Sequence, residues 1–215
     1  VYIAVESIRK AAEVMGISLS EATAAVVGAT GSIGRVCAEL LANDVGELYL
    51  IGRRTDALED LRTSLQPQAH ARIRVSTSMD DLRRAQVILT VTSALNDVIL
   101  PEHLNPGSVV CDVARPRDVS AKVAAVRDDI LVIDGGMVDV PGPVDFHFNF
   151  GFPAGKSFAC MAETIALTLE GRFEDYTVGK NITRAQVEEI AAIAGKHGFR
   201  LGGFRSFERE VTEEY

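Results

Sequence analysis

The sequence predicts an α/β fold, a doubly wound parallel sheet followed by C-terminal helices. Three observations lead to this prediction. Short apolar runs alternate with stretches of helical periodicity over residues 21–142. A glycine-rich loop separates the first apolar run from the helix after it. Beyond residue 142 the alternation stops, and two further helical stretches dominate.

Residues 1–15 have helical periodicity, and Gly16 ends the predicted helix. Its apolar face consists of Val1, Val5, Ile8, Ala12 and Met15. No capping residue precedes Val1, so we expect residues 1–20 to link this chain to a preceding domain. A processed or engineered terminus is the alternative.

Six buried strands follow in the region assigned to the sheet domain, residues 21–142. Their apolar runs are typical of a parallel sheet covered on both faces. The strands are predicted at residues 24–27, 46–54, 71–76, 86–92, 108–114 and 129–136. Helices between them are predicted at residues 32–43, 56–65 and 79–85.

Residues 143–215 make up the predicted C-terminal part. Phenylalanines alternate with polar residues at 145–150, which predicts a strand with His147 on its polar side. Helices are predicted at residues 157–171 and 183–197. The charged, glycine-broken segment 201–215 is predicted to be a tail or a docking arm.

Composition excludes several classes of protein. The 215 residues are 47% hydrophobic and 24% charged, typical of a globular protein. A net charge of −8 argues against binding to nucleic acid or to an anionic membrane surface. No apolar run reaches about 18 residues, so no integral membrane segment is expected. Three cysteines favour reduced thiols in the cytoplasm, and no metal-ligand spacing is present.

The loop GATGSIG lies between the first predicted strand and the next helix. Small residues allow the backbone to approach a pyrophosphate, whose charge the helix N-terminus then binds. This context predicts a Rossmann-like dinucleotide site rather than a plain tight turn. The predicted contacts are Gly28, Thr30, Gly31, Ser32, Ile33 and Gly34.

The end of the second predicted strand indicates which dinucleotide is bound. NAD sites usually carry Asp or Glu there, whereas this chain has Arg53, Arg54 and Thr55. Guanidinium groups suit a 2′-phosphate, so NADP(H) is the predicted cofactor. Solvated loop arginines are the alternative.

Further cofactor contacts are expected where later strands end, because ligands of open α/β sheets lie at the carboxyl ends of the strands. The candidates are Thr92, Ser93, Val113 and Ala114.

The three cysteines differ in their predicted surroundings. Cys37 and Cys111 lie within apolar patterns and are expected in the core. Cys160 is predicted to lie in the first turn of its helix, beside Glu163 and away from the apolar face. That face is predicted to comprise Phe158, Met161, Ala162, Ile165 and Leu169. The helix N-terminus and the nearby Lys156 favour a thiolate. Cys160 is therefore the candidate nucleophile, and an inert thiol is the alternative.

Histidines add little to this prediction. His147 is an acid–base candidate, although a surface or core imidazole is the more common case. His197 is expected to contact carbonyl groups at a helix C-terminus. His70 and His103 lie in polar loops and carry no signal.

The chain resembles the C-terminal part of long-chain fatty acyl-ACP reductases, the cyanobacterial aldehyde-forming enzymes, and related bacterial NADP-dependent dehydrogenases. The matching segments, in order, are AVVGATGSIG, LYLIGRR, DGG, PAGKSFACMAET and KHGF. The resemblance implies a Rossmann domain that holds NADPH and a nucleophilic cysteine at Cys160. It also implies a preceding domain that helps form the acyl site. Ser32 departs from the acidic residue usual in the family's glycine loop, and His147 has no counterpart.

The sequence therefore predicts NADPH-dependent reduction of an acyl-ACP or acyl-CoA thioester to an aldehyde. The chain itself is expected to be the cofactor-binding part of a longer protein. One alternative is a dehydrogenase of the shikimate or amino-acid type that acts on an alcohol or amine. Another is a non-catalytic NADP-binding module. Homo-oligomerisation is left open.

Overall fold

The computed structural model of the protein describes residues 1–149 and 151–211. Its centre is a six-stranded parallel sheet with the strand order β3-β2-β1-β4-β5-β6, the order of a Rossmann fold. The strands are β1 (Thr23–Val27), β2 (Glu47–Ile51), β3 (Arg72–Ser76), β4 (Val87–Thr90), β5 (Val109–Asp112) and β6 (Leu131–Asp134). All six predicted strands are present. Most are shorter than predicted, because the polar residues at their ends belong to loops.

Apolar side chains cover both faces of this sheet. Along β1, Val26 belongs to the core under the longer helices, while Ala25 and Val27 belong to the core on the opposite face. A central strand buried on both faces therefore reads as a continuous apolar run. The helices are α1 (Tyr2–Val14), α2 (Ser32–Leu41), α3 (Thr55–Leu65), α4 (Ala121–Val126), α5 (Ala159–Leu169) and α6 (Arg184–Lys196).

Helix α1 packs on the same sheet. Its buried residues include Val5 and Ile8, and Cys111 of β5 lies 3.9 Å from the Ala4 carbonyl oxygen. Gly16 ends the helix with a φ of +68°, as predicted. The link from residues 1–20 to a preceding domain stays a prediction, as do the proposed domain boundaries.

A small antiparallel sheet replaces the predicted strand at 145–150. It has the order β8-β7-β9 and consists of β7 (Met137–Asp139), β8 (Lys156–Phe158) and β9 (Arg200–Leu201). Residues 147 and 148 form a bend instead, residues 145, 146 and 149 are irregular, and Phe150 lies outside the described residues. The His147 N–H donates to Asp145 Oδ1 at 2.7 Å, and His147 has a φ of +53°. This local turn breaks the extended backbone that the alternating pattern suggested.

The predicted tail folds back on its own sheet as far as residue 211. Strands β10 (Arg205–Ser206) and β11 (Arg209–Glu210) form a hairpin beside β6. At its tip, the Glu208 N–H donates to Asp134 Oδ2 at 3.1 Å, and Phe207 lies under the Arg117 guanidinium at 5.3 Å. The hairpin therefore covers the open edge of the sheet at β6. Residues 212–215 of the predicted tail lie outside the described residues.

Helices of the described residues are all too short or too polar to cross a membrane. Within the same residues, no group of three or more His, Cys, Asp or Glu side chains is arranged to hold a metal ion.

Candidate active site

The glycine loop joins β1 to α2 where the backbone is too crowded for side chains. Gly28 has a φ of +80°, and a Cβ added there would lie 2.7 Å from the Val91 carbonyl oxygen. A Cβ at Gly34 would lie 2.2 Å from the Gly28 carbonyl oxygen. The N-cap residue of α2 is Gly31, which has no side chain to cap the helix. Its first N–H groups are therefore available to an anion.

A cavity of about 330 Å³ opens beside this loop, at the carboxyl ends of β1, β2 and β4. It brings together six of the predicted cofactor residues: Gly28, Thr30, Gly31, Arg53, Thr92 and Ser93. Ser32, Ile33, Gly34, Arg54, Thr55, Val113 and Ala114 do not line it. Sequence reasoning missed Thr77 and Met79, which follow β3 and form part of the wall. Their only signal was their position after a predicted strand.

The two arginines after β2 have different positions. Arg53 lines the cavity and is exposed. Arg54 is the N-cap residue of α3, and its Nε lies 3.9 Å from Asp56 Oδ1. Thr55 is the first residue of that helix. Arg53 is therefore the better placed of the two to meet a phosphate in the cavity.

An in-register row of polar residues ends β4, β5 and β6. Thr90 pairs with Asp112, which pairs with Asp134. Arg117 donates two hydrogen bonds to Asp134 and thereby neutralises it. Asp112 is fully buried and has no such ion pair among the described residues. Its row marks the edge where ligands bind in open α/β sheets.

Asp112 is held by backbone donors. Its Oδ1 accepts from the Ala114 N–H, and its Oδ2 accepts from the N–H groups of Asp118 and Val119, each at 3.0 Å. Burial, together with the negative charge of Asp118, raises the pKa of Asp112 to about 6, although the N–H donors act in the opposite direction. Sequence reasoning named the neighbouring Val113 and Ala114 but missed Asp118, because a polar loop residue carries no periodic signal.

Cys160 is exposed in the first turn of α5, as predicted. The buried residues of this helix are Ala162, Ala166 and Leu167. The predicted apolar face is therefore partly wrong, because Phe158 and Leu169 are 38% and 55% exposed. Ala162 and Ala166 are about one turn apart, so the buried face of α5 centres on these two alanines and not on Phe158 and Leu169.

The environment of Cys160 differs from the predicted one in its charge. The Lys156 ammonium donates to Asp139 Oδ1 and to the Gly202 carbonyl oxygen, each at 2.6 Å. No contact between Lys156 and Cys160 is present among the described residues. The prediction that the Lys156 ammonium lies beside the thiol is therefore wrong. The helix N-terminus remains the positive group near Cys160.

The other two cysteines are core residues, as predicted. Cys37 and Cys111 are both fully buried. Burial raises the pKa of the Cys37 thiol to about 11 and raises the pKa of Cys111 as well. A thiol in such surroundings stays protonated and unreactive at neutral pH.

His147 is a surface imidazole, the more common case named above, but it lies on a turn instead of a strand, with its Nδ1 at 3.3 Å from Asp145 Oδ2. His197 does not have the predicted surroundings. The ring of His197 contacts Glu170 Oε2 at 2.7 Å, rather than terminal carbonyl groups. Lys196 also donates to Glu170, so these side chains tie the end of α6 to the end of α5.

Two features of the site thus lie along one edge of the sheet. The glycine loop follows β1, and the start of α5 lies beside Gly136, whose carbonyl oxygen accepts from the Ala159 N–H at 2.8 Å. Gly136 comes two residues after β6 ends. Three strand spacings separate β1 from β6, roughly 14 Å. Cys160 itself does not line the cavity at the glycine loop.

The sequence was compared with known protein families and with individual proteins. The chain matches the family described as shikimate/quinate 5-dehydrogenase over residues 9–134. It is 32% identical over 207 residues to the long-chain acyl-(acyl-carrier-protein) reductase of Synechococcus elongatus, covering 93% of this chain and 59% of that protein. It is 36% identical over 195 residues to the aminotransferase PigE of a Serratia species, covering 88% of this chain and 23% of that protein. The chain thus spans less than two thirds of either relative.

Among solved structures, the glutamyl-tRNA reductase of Methanopyrus kandleri has a similar fold. The TM-score is 0.51 at 20% identity, over 91% of this chain and 41% of that chain. The comparisons confirm the predicted resemblance and the Rossmann-like fold.

Proposed function

Since this chain belongs to the shikimate/quinate 5-dehydrogenase family, we propose that it is the NADP(H)-binding part of an acyl-thioester reductase. Its substrate would be an acyl-ACP or acyl-CoA thioester, its product an aldehyde, and its nucleophile Cys160. The observation that carries this proposal is the exposed thiol of Cys160 at the start of α5, tied to the carboxyl edge of the sheet through Ala159 and Gly136.

The residues around the cavity fit a dinucleotide phosphate. Gly28 and Gly34 leave room for the backbone turn, and the uncapped N–H groups at the start of α2, at Ser32 and Ile33, bind the pyrophosphate. Arg53 pairs with the 2′-phosphate of the adenosine ribose. Thr92 and Ser93 form the facing wall. When bound, NADPH supplies the hydride that reduces the acyl group to an aldehyde.

Cys160 performs the acyl transfer. Its thiolate attacks the thioester carbonyl carbon, a new C–S bond forms, and the C–S bond to the carrier breaks. The carrier leaves as a thiolate and takes a proton from water. First-turn N–H groups of α5 beyond Ala159 are the candidates to bind the oxyanion, because this helix has no side-chain cap among the described residues.

The surface around Cys160 is open in the described chain. Cys160 and Thr164 are exposed, and Glu163 is bonded to the Thr177 hydroxyl at 2.8 Å. An acyl-enzyme needs protection from water, so another surface must cover this side of α5. We propose that a further domain of a longer protein supplies this surface, since the chain spans only 59% of the acyl-carrier-protein reductase relative.

A second candidate function is oxidation of an alcohol, as in the enzymes after which the matching family is named. The family match favours it because the match covers residues 9–134 and ends before Cys160. In that case Cys160 is dispensable. A non-catalytic NADP-binding module is the third case, in which neither substrate class is turned over.

One experiment separates these cases. The protein is incubated with an acyl-CoA or acyl-ACP without NADPH, and intact mass shows whether an acyl group becomes attached. Peptide mapping then locates it, and NADPH is added to test for aldehyde. We expect the adduct on Cys160, its loss in Cys160→Ala, and no loss in Thr168→Ala on the same exposed helix surface. Turnover of an alcohol with NADP⁺ that survives Cys160→Ala would overturn the proposal.

A further inference from the structure

The wall of the cavity formed by Thr92, Ser93 and Ala94 is held by a single carboxylate. Thr92 donates to Asp118 twice, from its N–H to Oδ2 at 2.8 Å and from its hydroxyl to Oδ1. The Thr92 hydroxyl in turn accepts from the Ala94 N–H at 3.1 Å. The conformation of this loop therefore depends on Asp118.

Asp118 is anchored on the opposite side as well. It is fully buried, and its Oδ2 also accepts from the Thr90 hydroxyl at the end of β4. Its own N–H donates to Asp112, and its carbonyl oxygen accepts from the N–H groups of Val98 and Ile99. Asp118 thus joins the loop after β4 to the loop after β5.

The donors to this carboxylate are neutral groups. Burying a carboxylate is costly unless hydrogen bonds replace its hydration, and here three donors do so. Two of the three come from Thr92, which lines the cavity. An apolar residue would fill the same space without this cost but could not orient Thr92.

The tolerance for movement of the loop is small. Its first residue, Val91, has its carbonyl oxygen only 2.7 Å from the point where a Cβ on Gly28 would lie. Movement toward Gly28 would close the cavity, and movement away would separate Thr92 from the glycine loop. Contacts held to within fractions of an ångström are what a preorganised binding site requires.

We propose that Asp118 is a positioning residue for the cofactor, which holds the Thr92–Ala94 wall at the distance from the glycine loop that NADP(H) requires. This inference rests on the proposed use of the cavity as the cofactor site. Asp118 acts through Thr92 and does not itself line the cavity.

The test compares two substitutions of Asp118 with one control. Asp118→Ala removes all three acceptor contacts, whereas Asp118→Asn keeps an oxygen that accepts from Thr90 and from the Thr92 N–H. Gln86→Ala is the control, because Gln86 accepts from the Thr23 N–H at 2.8 Å at the opposite, amino end of β4. The Kd of NADPH is measured by fluorescence titration, and Tm is measured for each variant.

We expect NADPH to bind about tenfold more weakly to Asp118→Ala and about threefold more weakly to Asp118→Asn. Gln86→Ala should lower Tm and leave the Kd unchanged. An unchanged Kd in Asp118→Ala, or an equal loss of affinity in Gln86→Ala at a matched fall in Tm, overturns the inference. If Asp118→Ala does not fold, the Kd of Asp118→Asn decides in the same way.

Failure of the inference is distinguishable from failure of the proposed site. If Arg53→Ala and Gly28→Ala also leave the Kd of NADPH unchanged, the cavity is not the cofactor site. If those two variants lose affinity while Asp118→Ala does not, only the positioning role is wrong.

Discussion

Replacing Asp112 by Asn should change how the stability of the protein depends on pH. The pKa of this buried carboxyl rises from 3.8 to about 6 in the folded protein, because burial and the charge of Asp118 disfavour its ionised form. The folded state therefore binds a proton that the unfolded state has already lost between these pH values. This stabilising contribution is present below about pH 4 and is lost as the pH rises to about 6.

The size of the effect follows from the two pKa values. A change from 3.8 to about 6 corresponds to about 3 kcal/mol in the free energy of unfolding. Asn carries no charge at any pH, so the variant lacks this dependence. Its amide also faces backbone N–H groups on both sides, which adds a destabilisation that does not vary with pH.

Denaturant unfolding between pH 4 and pH 8 measures the difference between the two proteins. We expect Asp112→Asn to gain stability relative to the unchanged protein as the pH rises, by about 3 kcal/mol in total. Groups that do not interact with Asp112 titrate equally in both proteins and cancel in the difference. A difference that is independent of pH, or a variant that loses stability relative to the unchanged protein as the pH rises, would refute the argument from burial.

Three further outcomes are expected. Gly28→Ala should lower the free energy of unfolding, measured in denaturant, by about 2 kcal/mol or more, because its φ is +80° and the added Cβ meets a carbonyl oxygen. Equal stability of the two proteins would show that the backbone at Gly28 has room for a Cβ. Arg53→Ala should weaken the binding of NADPH about tenfold, measured by fluorescence titration, and leave the Kd of NADH unchanged. Arg54→Ala should have a smaller effect on NADPH, and a larger effect would mean that Arg54 determines the cofactor specificity. Iodoacetamide should label Cys160 before Cys37, because Cys160 is exposed and burial raises the pKa of Cys37 to about 11; peptide mass spectrometry shows the order.

The sheet domain was predictable because its signals are local. Ala25, Val26 and Val27 form an apolar run that ends at Gly28, and a helical pattern follows directly. A buried parallel strand and a tight turn each leave this kind of mark within a few residues. The facial position of Cys160 was predictable for the same reason, since it needs only the helical period and the helix start.

The C-terminal part was less predictable because alternation does not specify a partner strand. Residues 145–149 alternate in the sequence, but His147 has a φ of +53°, which interrupts the extended backbone that a paired strand requires. The short strands that do pair in the described part of this region are β7 to β11. Each has only two or three residues, too few for a period to be recognised.

The sequence by itself determined the fold class, the glycine loop and the exposed position of Cys160 at the start of a helix. Only the tertiary structure decided which arginine lines the cavity and what holds its far wall. Thr92 and Asp118 are 26 residues apart, in two loops without periodicity. They meet because β4 and β5 are neighbours in the sheet, and their hydrogen bonds are strong because the Asp118 carboxylate is fully buried. Adjacency of strands and burial of a side chain are properties of the packed chain, so no local pattern could have predicted that contact.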